Sequence, residues 1–279
     1  MAIDITLVGQ RGRTVEKSWT SKDVLLYAIA VGGGLGHPEE ELEFTTENFE
    51  IEQKVFPSFI CVAATAPLPD GLNIDFTRML HAEMSFRLLD DIRIENQVLA
   101  TSTIAGIYDK GSGALVSTKT EVVDTKTGKA LAELTSGLFL RGEGGFGGDR
   151  GPQDSWERPE RSPDFEVEYE TRPEQALLYR LTGDRNPLHT NPVFASKAGF
   201  PAPILHGMCS YGFTSRALLH KVANSEPSLF GGMSARFTKA VALGETLTVQ
   251  IWRTEDGALF RTLDEAGDTI IDRGRMTLR

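Results

Sequence analysis

The strongest constraint on the fold is a row of four extended runs, residues 82–89, 97–108, 114–124 and 130–141. Two of the turns between them, Lys110-Gly111-Ser112-Gly113 and Lys126-Thr127-Gly128, have hairpin chemistry, because glycine adopts the positive φ of a tight reversal at no steric cost. Strands joined this closely pair antiparallel. One helix is expected ahead of them at residues 21–31, with Ser21 as N-cap, Val24, Leu25, Tyr27, Ala28 and Val31 on one face, and glycines 32–34 ending it. Residues 3–19 read as a charged lead-in and 48–64 as mixed extended and turn structure. A helix followed by antiparallel strands predicts an α+β fold.

The plan then repeats. Residues 142–164, rich in Gly, Pro, Asp and Arg and without periodicity, read as a linker. After it come an extended entry at 165–170, a helix at 173–182 with Pro173 in its first turn and Gly183 after its end, and a longer helix from His206. Strands are expected at 229–237, 246–253, 259–264 and 269–278. Leu25-Leu26-Tyr27 matches Leu177-Leu178-Tyr179; at that offset His189 falls on His37, but Asp184 falls on Gly32 and Asn186 on Gly34. Leu80-His81-Ala82 echoes Leu205-His206-Gly207 at a shorter offset. These echoes favour duplication with a shortened first copy. That copy runs straight into a strand after Ala82, so it is expected to lack a long central helix and to leave an apolar trough.

The chemistry concentrates in the second copy. Pro187 and Pro192 rule out an unbroken helix, so Asp184 and His189 sit on a folded-back loop. A carboxylate and an imidazole held together can share one water, the minimum apparatus for acid–base work near neutral pH. The helix starting after His206 would present free N–H groups, and Gly207 has no side chain to keep a ligand from its own. Such a terminus can stabilise a developing oxyanion.

Composition removes several function classes. The 40% apolar and 24% charged content is that of a globular protein, and 29 basic against 39 acidic side chains give a net charge of −10, which argues against a nucleic-acid partner. No apolar run is long enough for a membrane span, and the N-terminus lacks a basic segment followed by an apolar one, so neither a membrane nor a secretory signal is expected. The C-terminal residues are not a Ser-Lys-Leu address. Cys61 and Cys209 lie far apart in apolar surroundings and are expected to be reduced, which points to a cytoplasmic protein. The glycine run at 142–148 precedes no helix and so cradles no phosphate. His37, His81, His189, His206 and His220 show no zinc-ligand spacing, so no metal or other cofactor is expected.

The run from Tyr179 to His189, YRLTGDRNPLH, with Ala195 beyond it, resembles the signature of (R)-specific 2-enoyl-CoA hydratases, the hydratase 2 or MaoC-like group. The resemblance covers nearly the whole chain and is closest to two-domain members, including the hydratase part of a peroxisomal multifunctional enzyme. It implies a double hot-dog fold: residues 1–141 non-catalytic and binding the acyl chain, 142–164 a linker, and 165–279 catalytic. It further implies reversible syn hydration of trans-2-enoyl-CoA to (3R)-3-hydroxyacyl-CoA without a cofactor. Asp184 and His189 would activate the water, and the Gly207 N–H would hold the thioester oxygen.

Carried over residue by residue, His81 and Ala82 match the family's N-terminal His-Gly pair at the acyl-CoA site, with the change to Ala82 putting a backbone contact there in doubt. Lys110 matches a lysine that meets CoA, and Phe237 a ligand-lining position; Asn186 orients either the loop or the water. A homodimer, or a double hot dog that imitates one, is also implied. The rivals are a dehydratase acting on acyl-carrier-protein thioesters, a hot-dog thioesterase, whose loop would lack this Asp-x-Asn-Pro-x-His pattern, and a non-catalytic acyl-CoA binding protein, which Gly32 in place of the acid suggests for the first copy.

Overall fold

The computed structural model describes residues 3–48, 50–72, 74–153 and 155–279. Phe49, in the stretch expected to be irregular, and Asp154, in the expected linker, lie outside them. The first half contains β1 (Val15–Trp19), α1 (Ser21–Ala30), the single turns α2 (Leu42–Thr45) and α3 (Ile60–Ala63), then β2 (Met79–Leu88), β3 (Asn96–Asp109), β4 (Gly113–Asp124) and β5 (Ala130–Arg141). The second contains β6 (Phe165–Glu170), α4 (Gln175–Tyr179), α5 (Pro192–Lys197), α6 (Gly207–Lys221), β7 (Phe230–Phe237), β8 (Thr246–Thr254), β9 (Gly257–Leu263) and β10 (Thr269–Leu278).

The ten strands of the described residues form one sheet, ordered β1-β3-β4-β5-β2-β7-β10-β9-β8-β6. Outward from the central antiparallel pair β2–β7, one half runs β5, β4, β3, β1 and the other β10, β9, β8, β6. The connectivity is the same on both sides, so the sheet is a pseudo-two-fold arrangement of two copies of one motif. The fold is α+β, a double hot dog, as expected. Each half-sheet curls around helical material and buries one face against it.

The central helix is α6. Its residues from Cys209 to Ser215 are all buried, and small side chains let the first half approach. A Cβ at Gly212 would meet Val31 Cγ1 at 2.4 Å and the Tyr27 hydroxyl at 3.0 Å, so only glycine admits the end of α1 here. Tyr27 and Tyr179, the ends of the first internal echo, are both buried with ring centroids 6.5 Å apart. That echo is a structural repeat.

The second echo is not. His81 and Ala82 lie inside β2, the counterpart of β7, whereas His206 and Gly207 begin α6. The match is coincidence, because a strand and a helix start have no common environment. In the first half, the stretch between α1 and β2 holds only α2, a 3-10 turn at Pro57–Phe59 and α3; no described helix there approaches the length of α6.

Three local expectations are also corrected. The lead-in contains β1, whose polar residues alternate with Val15 and Trp19 and pair with β3. The N-cap of α1 is Thr20, in a capping box with Asp23, because the Asp23 carboxylate reaches back to the Thr20 N–H at 2.9 Å. The helix expected at 173–182 is α-helical only over Gln175–Tyr179 and tightens into a 3-10 turn at Arg180–Thr182. Between β5 and β6 the described residues form no strand or helix, yet they are pinned. The Asp109 carboxylate accepts the Gly145 and Gly147 N–H groups, and the buried Trp156 donates its indole N–H to Gly274 O.

Candidate active site

The loop after α4 folds back because its own side chains cap it. Gly183 has φ of +134°, a region closed to most side chains. The Asn186 N–H donates to Asp184 Oδ1 at 3.1 Å, and Asn186 Oδ1 accepts the Leu188 N–H at 3.0 Å, capping the 3-10 turn Pro187–His189. Of the two tasks open to Asn186, its carbonyl oxygen is engaged in orienting the loop. His189 is buried, and its Nδ1 lies 2.9 Å from Ile204 O. A carbonyl only accepts, so Nδ1 carries the proton and Nε2 is left with its lone pair. Burial also lowers the pKa of His189, so the ring is neutral at pH 7.

His206, the N-cap of α6, is fully buried and stacks on His189 with centroids 3.7 Å apart and planes at 26°. Burial first, and then the neighbouring His189, pushes its pKa down to about 3. The stack therefore fixes the His189 ring without a second charge. Donor atoms of Asp184, His189 and His206 all lie within 4.8 Å of one another. Spacing along the chain missed this grouping, which has the donor types of a metal site. The near-parallel stack fits an ion poorly: a metal in the plane of one ring would lie well out of the plane of the other.

Gly207 opens α6, and helix geometry leaves its first N–H groups without intrahelical acceptors. Phe237, at the end of β7, lies across it: a Cβ on Gly207 would be 3.2 Å from Phe237 Cδ1. His81 packs on Phe237 at 5.1 Å between centroids, and its Nε2 is 2.9 Å from Ser136 Oγ. Desolvation holds the His81 pKa at about 4, with the nearby Asp184 charge opposing. The register of β2 against β5 slips between His81 and Glu83, which makes Ala82 a β-bulge.

Asp184, Asn186, His189, Gly207, His81, Ala82 and Phe237 all line one cavity of about 930 Å³. Lys110 does not. It sits at the β3–β4 turn with its ammonium over the Tyr108 ring and bonded to Arg150 O. Arg185 and Lys239, which sequence reasoning passed over, do line the cavity. Arg185 has no ion-pair partner among the described residues, whereas Lys239 is bound by Asp264 and Asp268. A cation directly after Asp184 in the signature loop was the available signal. A second chamber of about 560 Å³ lies over the first half, with Trp19, Phe59, Met84 and Leu134 in its wall. His81, Asp184 and Met208 border both.

Residues 154–273 match the MaoC like domain and residues 18–142 the MFE-2 hydratase 2 N-terminal domain. The chain is 43% identical over 270 residues to 3-hydroxyacyl-thioester dehydratase Y of Mycobacterium tuberculosis, covering 94% of this chain and 92% of that one. The chain belongs to the MaoC-like dehydratase family. It is also 39% identical over 262 residues to enoyl-CoA hydratase ChsH3 of the same organism, covering 91% and 90%. Among solved structures, a MaoC-like dehydratase from Phytophthora capsici superposes with a TM-score of 0.89 at 30% identity, covering 100% of this chain and 98% of that one. The family's two halves thus run through both half-sheets, and its MaoC-like part contains the Asp184–His189 loop and α6.

Proposed function

We propose that the protein is an (R)-specific enoyl-CoA hydratase, adding water reversibly and syn across trans-2-enoyl-CoA to give (3R)-3-hydroxyacyl-CoA. The observation that carries this reading is the convergence of Asp184, His189 and the start of α6 on one cavity. Relatives named enoyl-CoA hydratase 2 support it.

Addition of water needs a base for its proton, a proton for Cα and a place for charge on the thioester oxygen. Asp184 and the free Nε2 of His189 hold the water from one side and act as a unit: the pair takes the water's proton as OH adds to Cβ and returns a proton to Cα, so its own protonation is unchanged at the end. Because both lie on one side of the double bond, OH and H add to the same face. The Gly207 N–H, at the positive end of α6, receives the oxygen as enolate character develops. In this scheme Asn186 holds the loop, His81, Ala82 and Phe237 shape the thioester's channel, and Lys110 and Arg185 are cations available to CoA phosphates.

In the same proposal residues 1–141 form the acyl-chain half without catalysis, 142–164 the linker and 165–279 the catalytic half. The second chamber takes the acyl tail, and each methylene buried there contributes roughly 0.8 kcal/mol. The resemblance further supports a homodimer, to be checked by sedimentation, and the two buried free cysteines suit a cytoplasmic setting.

The test is hydration of crotonyl-CoA, followed by loss of the enoyl thioester absorbance, with chiral analysis of the product. Asp184→Asn and His189→Ala should each lower kcat by on the order of a hundredfold while the protein stays folded. Near-unaltered rates in either folded variant, or mainly (3S) product, would remove the assignment.

A further inference from the structure

The trough over the first half was expected to be apolar, and one of its walls is not. The second chamber crosses the first half-sheet from its centre to its edge. His81 and Met84 of β2 line it, as do Leu134 and Ser136 of β5, Thr118 and Thr120 of β4, Ser102 of β3, and Lys17 of β1. Four of these are hydroxyls in one block. Ser102 sits opposite Thr120 and Thr118 opposite Ser136 in the strand register. Ser102, Thr118 and Thr120 are buried among protein atoms. Ser102 and Thr120 make no side-chain hydrogen bond among the described residues, and Thr118 makes only a long one to Ser136 O at 3.4 Å. The helical side contributes Leu26, Phe59, Val62 and Leu68, with Asp23 and Thr65 as its polar members.

A plain hydrocarbon tail lying in this chamber would strip water from the hydroxyls and return nothing, and buried polar groups without partners are costly. A tail bearing a hydroxyl or carbonyl would replace the lost hydrogen bonds. We propose that the second chamber selects acyl chains oxygenated well beyond the reacting double bond over plain chains of equal length. This inference rests on the hydratase reading and specifies its substrate class. Ser136, bonded to His81, marks the end near the reacting carbons. Strands are spaced at roughly 4.8 Å, so Thr118 lies about one such step farther out and Ser102 about two. The oxygen would therefore sit several carbons from the thioester. A site built around hydroxyls discriminates against the analogue lacking the partner, which is the stronger direction of molecular selection.

The experiment compares kcat/KM for crotonyl-CoA, trans-2-decenoyl-CoA and decenoyl-CoA chains hydroxylated at carbon six, eight or ten. Crotonyl-CoA, too short to reach the block, reports on the hydratase reading alone. The expected result is that at least one oxygenated chain exceeds the plain chain by roughly tenfold, the worth of one hydrogen bond. In Thr118→Val and Thr120→Val, measured as the ratio of oxygenated to plain chain on one preparation, that preference should fall to about unity. Valine keeps the shape and strand preference of threonine, so the ratio reads the hydroxyl. Crotonyl-CoA turnover with no preference for any oxygenated chain, or a preference that both variants retain, overturns this inference and leaves the hydratase reading standing. Absence of crotonyl-CoA turnover overturns both.

Discussion

Gly207→Ala separates a chemical role of the α6 terminus from a structural one. The new Cβ would lie 3.2 Å from Cδ1 and 3.3 Å from Cε1 of Phe237. Carbon contacts are optimal at roughly 3.5–4.0 Å, so the ring must retreat by a few tenths of an ångström. The helix gains from the exchange, since alanine is favoured over glycine by up to about 1 kcal/mol. Stability should therefore stay within about 1 kcal/mol, a Tm change of about 3 °C or less. The rate should not survive as well. The methyl and the displaced ring both stand where a thioester oxygen must approach the Gly207 N–H, and full loss of one such donor costs about 3 kcal/mol, on the order of a hundredfold in kcat. Partial obstruction should cost between roughly tenfold and a hundredfold in kcat, with KM for crotonyl-CoA changed by less than about threefold. Adding Phe237→Leu to Gly207→Ala should return part of the rate by giving the methyl room. A folded Gly207→Ala protein with unaltered kcat would refute the assignment of this N–H to the oxyanion.

Three further outcomes follow from the electrostatics. The His189 pKa is lowered by burial, so the acid limb of kcat/KM should lie below the ordinary imidazole value of about 6.5; a limb centred at or above it contradicts the desolvated, neutral ring. His81 is held at about 4 in the folded state. Between about 6.5 and that value the unfolded chain binds more protons, so denaturation at stepped pH should show stability falling as pH drops through this window, with no His81 contribution to the slope above it. Glu41 belongs to a different cluster. Burial would raise its pKa, but hydrogen bonds from His220 and Arg216, both at 2.6 Å, and the Arg216 charge prevail and hold it at about 2. Its stabilisation is thus present above the ordinary carboxylate range and lost as pH falls toward that value. Glu41→Gln, which breaks this tie between the α2 region and α6, should cost about 3 kcal/mol and lower Tm by roughly 6 °C; a shift under about 2 °C would show the cluster to be replaceable.

The strands were legible because period and turn chemistry agree along them: β5, β6 and β10 begin and end where the sequence places them. The acid–base loop was legible because two prolines and a glycine leave one way to fold it. β1 escaped notice because its five residues are mostly polar and only Trp19 is buried, so the strand is visible only through its pairing with β3. The echo around His81 misled because three residues carry no information about secondary structure. The stack of His206 on His189 could not be read at all, since it depends on the 3-10 turn and the start of α6 meeting across Ile204. The hydroxyl block was hidden for a related reason. Threonine and serine stand side by side in β3 to β5, on both faces, and only the folded chamber shows which four line it.

The symmetry of the sheet makes the asymmetry of the site intelligible. Two equivalent half-sheets offer two concave faces, yet one long helix, α6, packs on the second and meets helical parts of the first: Gly212 meets α1, and Met208 borders both chambers. Since α6 is shared, its N-terminus falls at the boundary between the chambers, beside His81 and Asp184. On the proposed reading the reacting carbons must lie at that boundary, with the thioester in the larger cavity and the tail in the smaller. The counterpart of Asp184 in the first copy, Gly32, lines neither chamber, and a Cβ there would meet Phe213 Cε1 at 2.2 Å, so no second carboxylate fits. On the proposed reading that chemistry is concentrated in one copy, which leaves the sheet face of the other, with its four hydroxyls, to meet the substrate's tail.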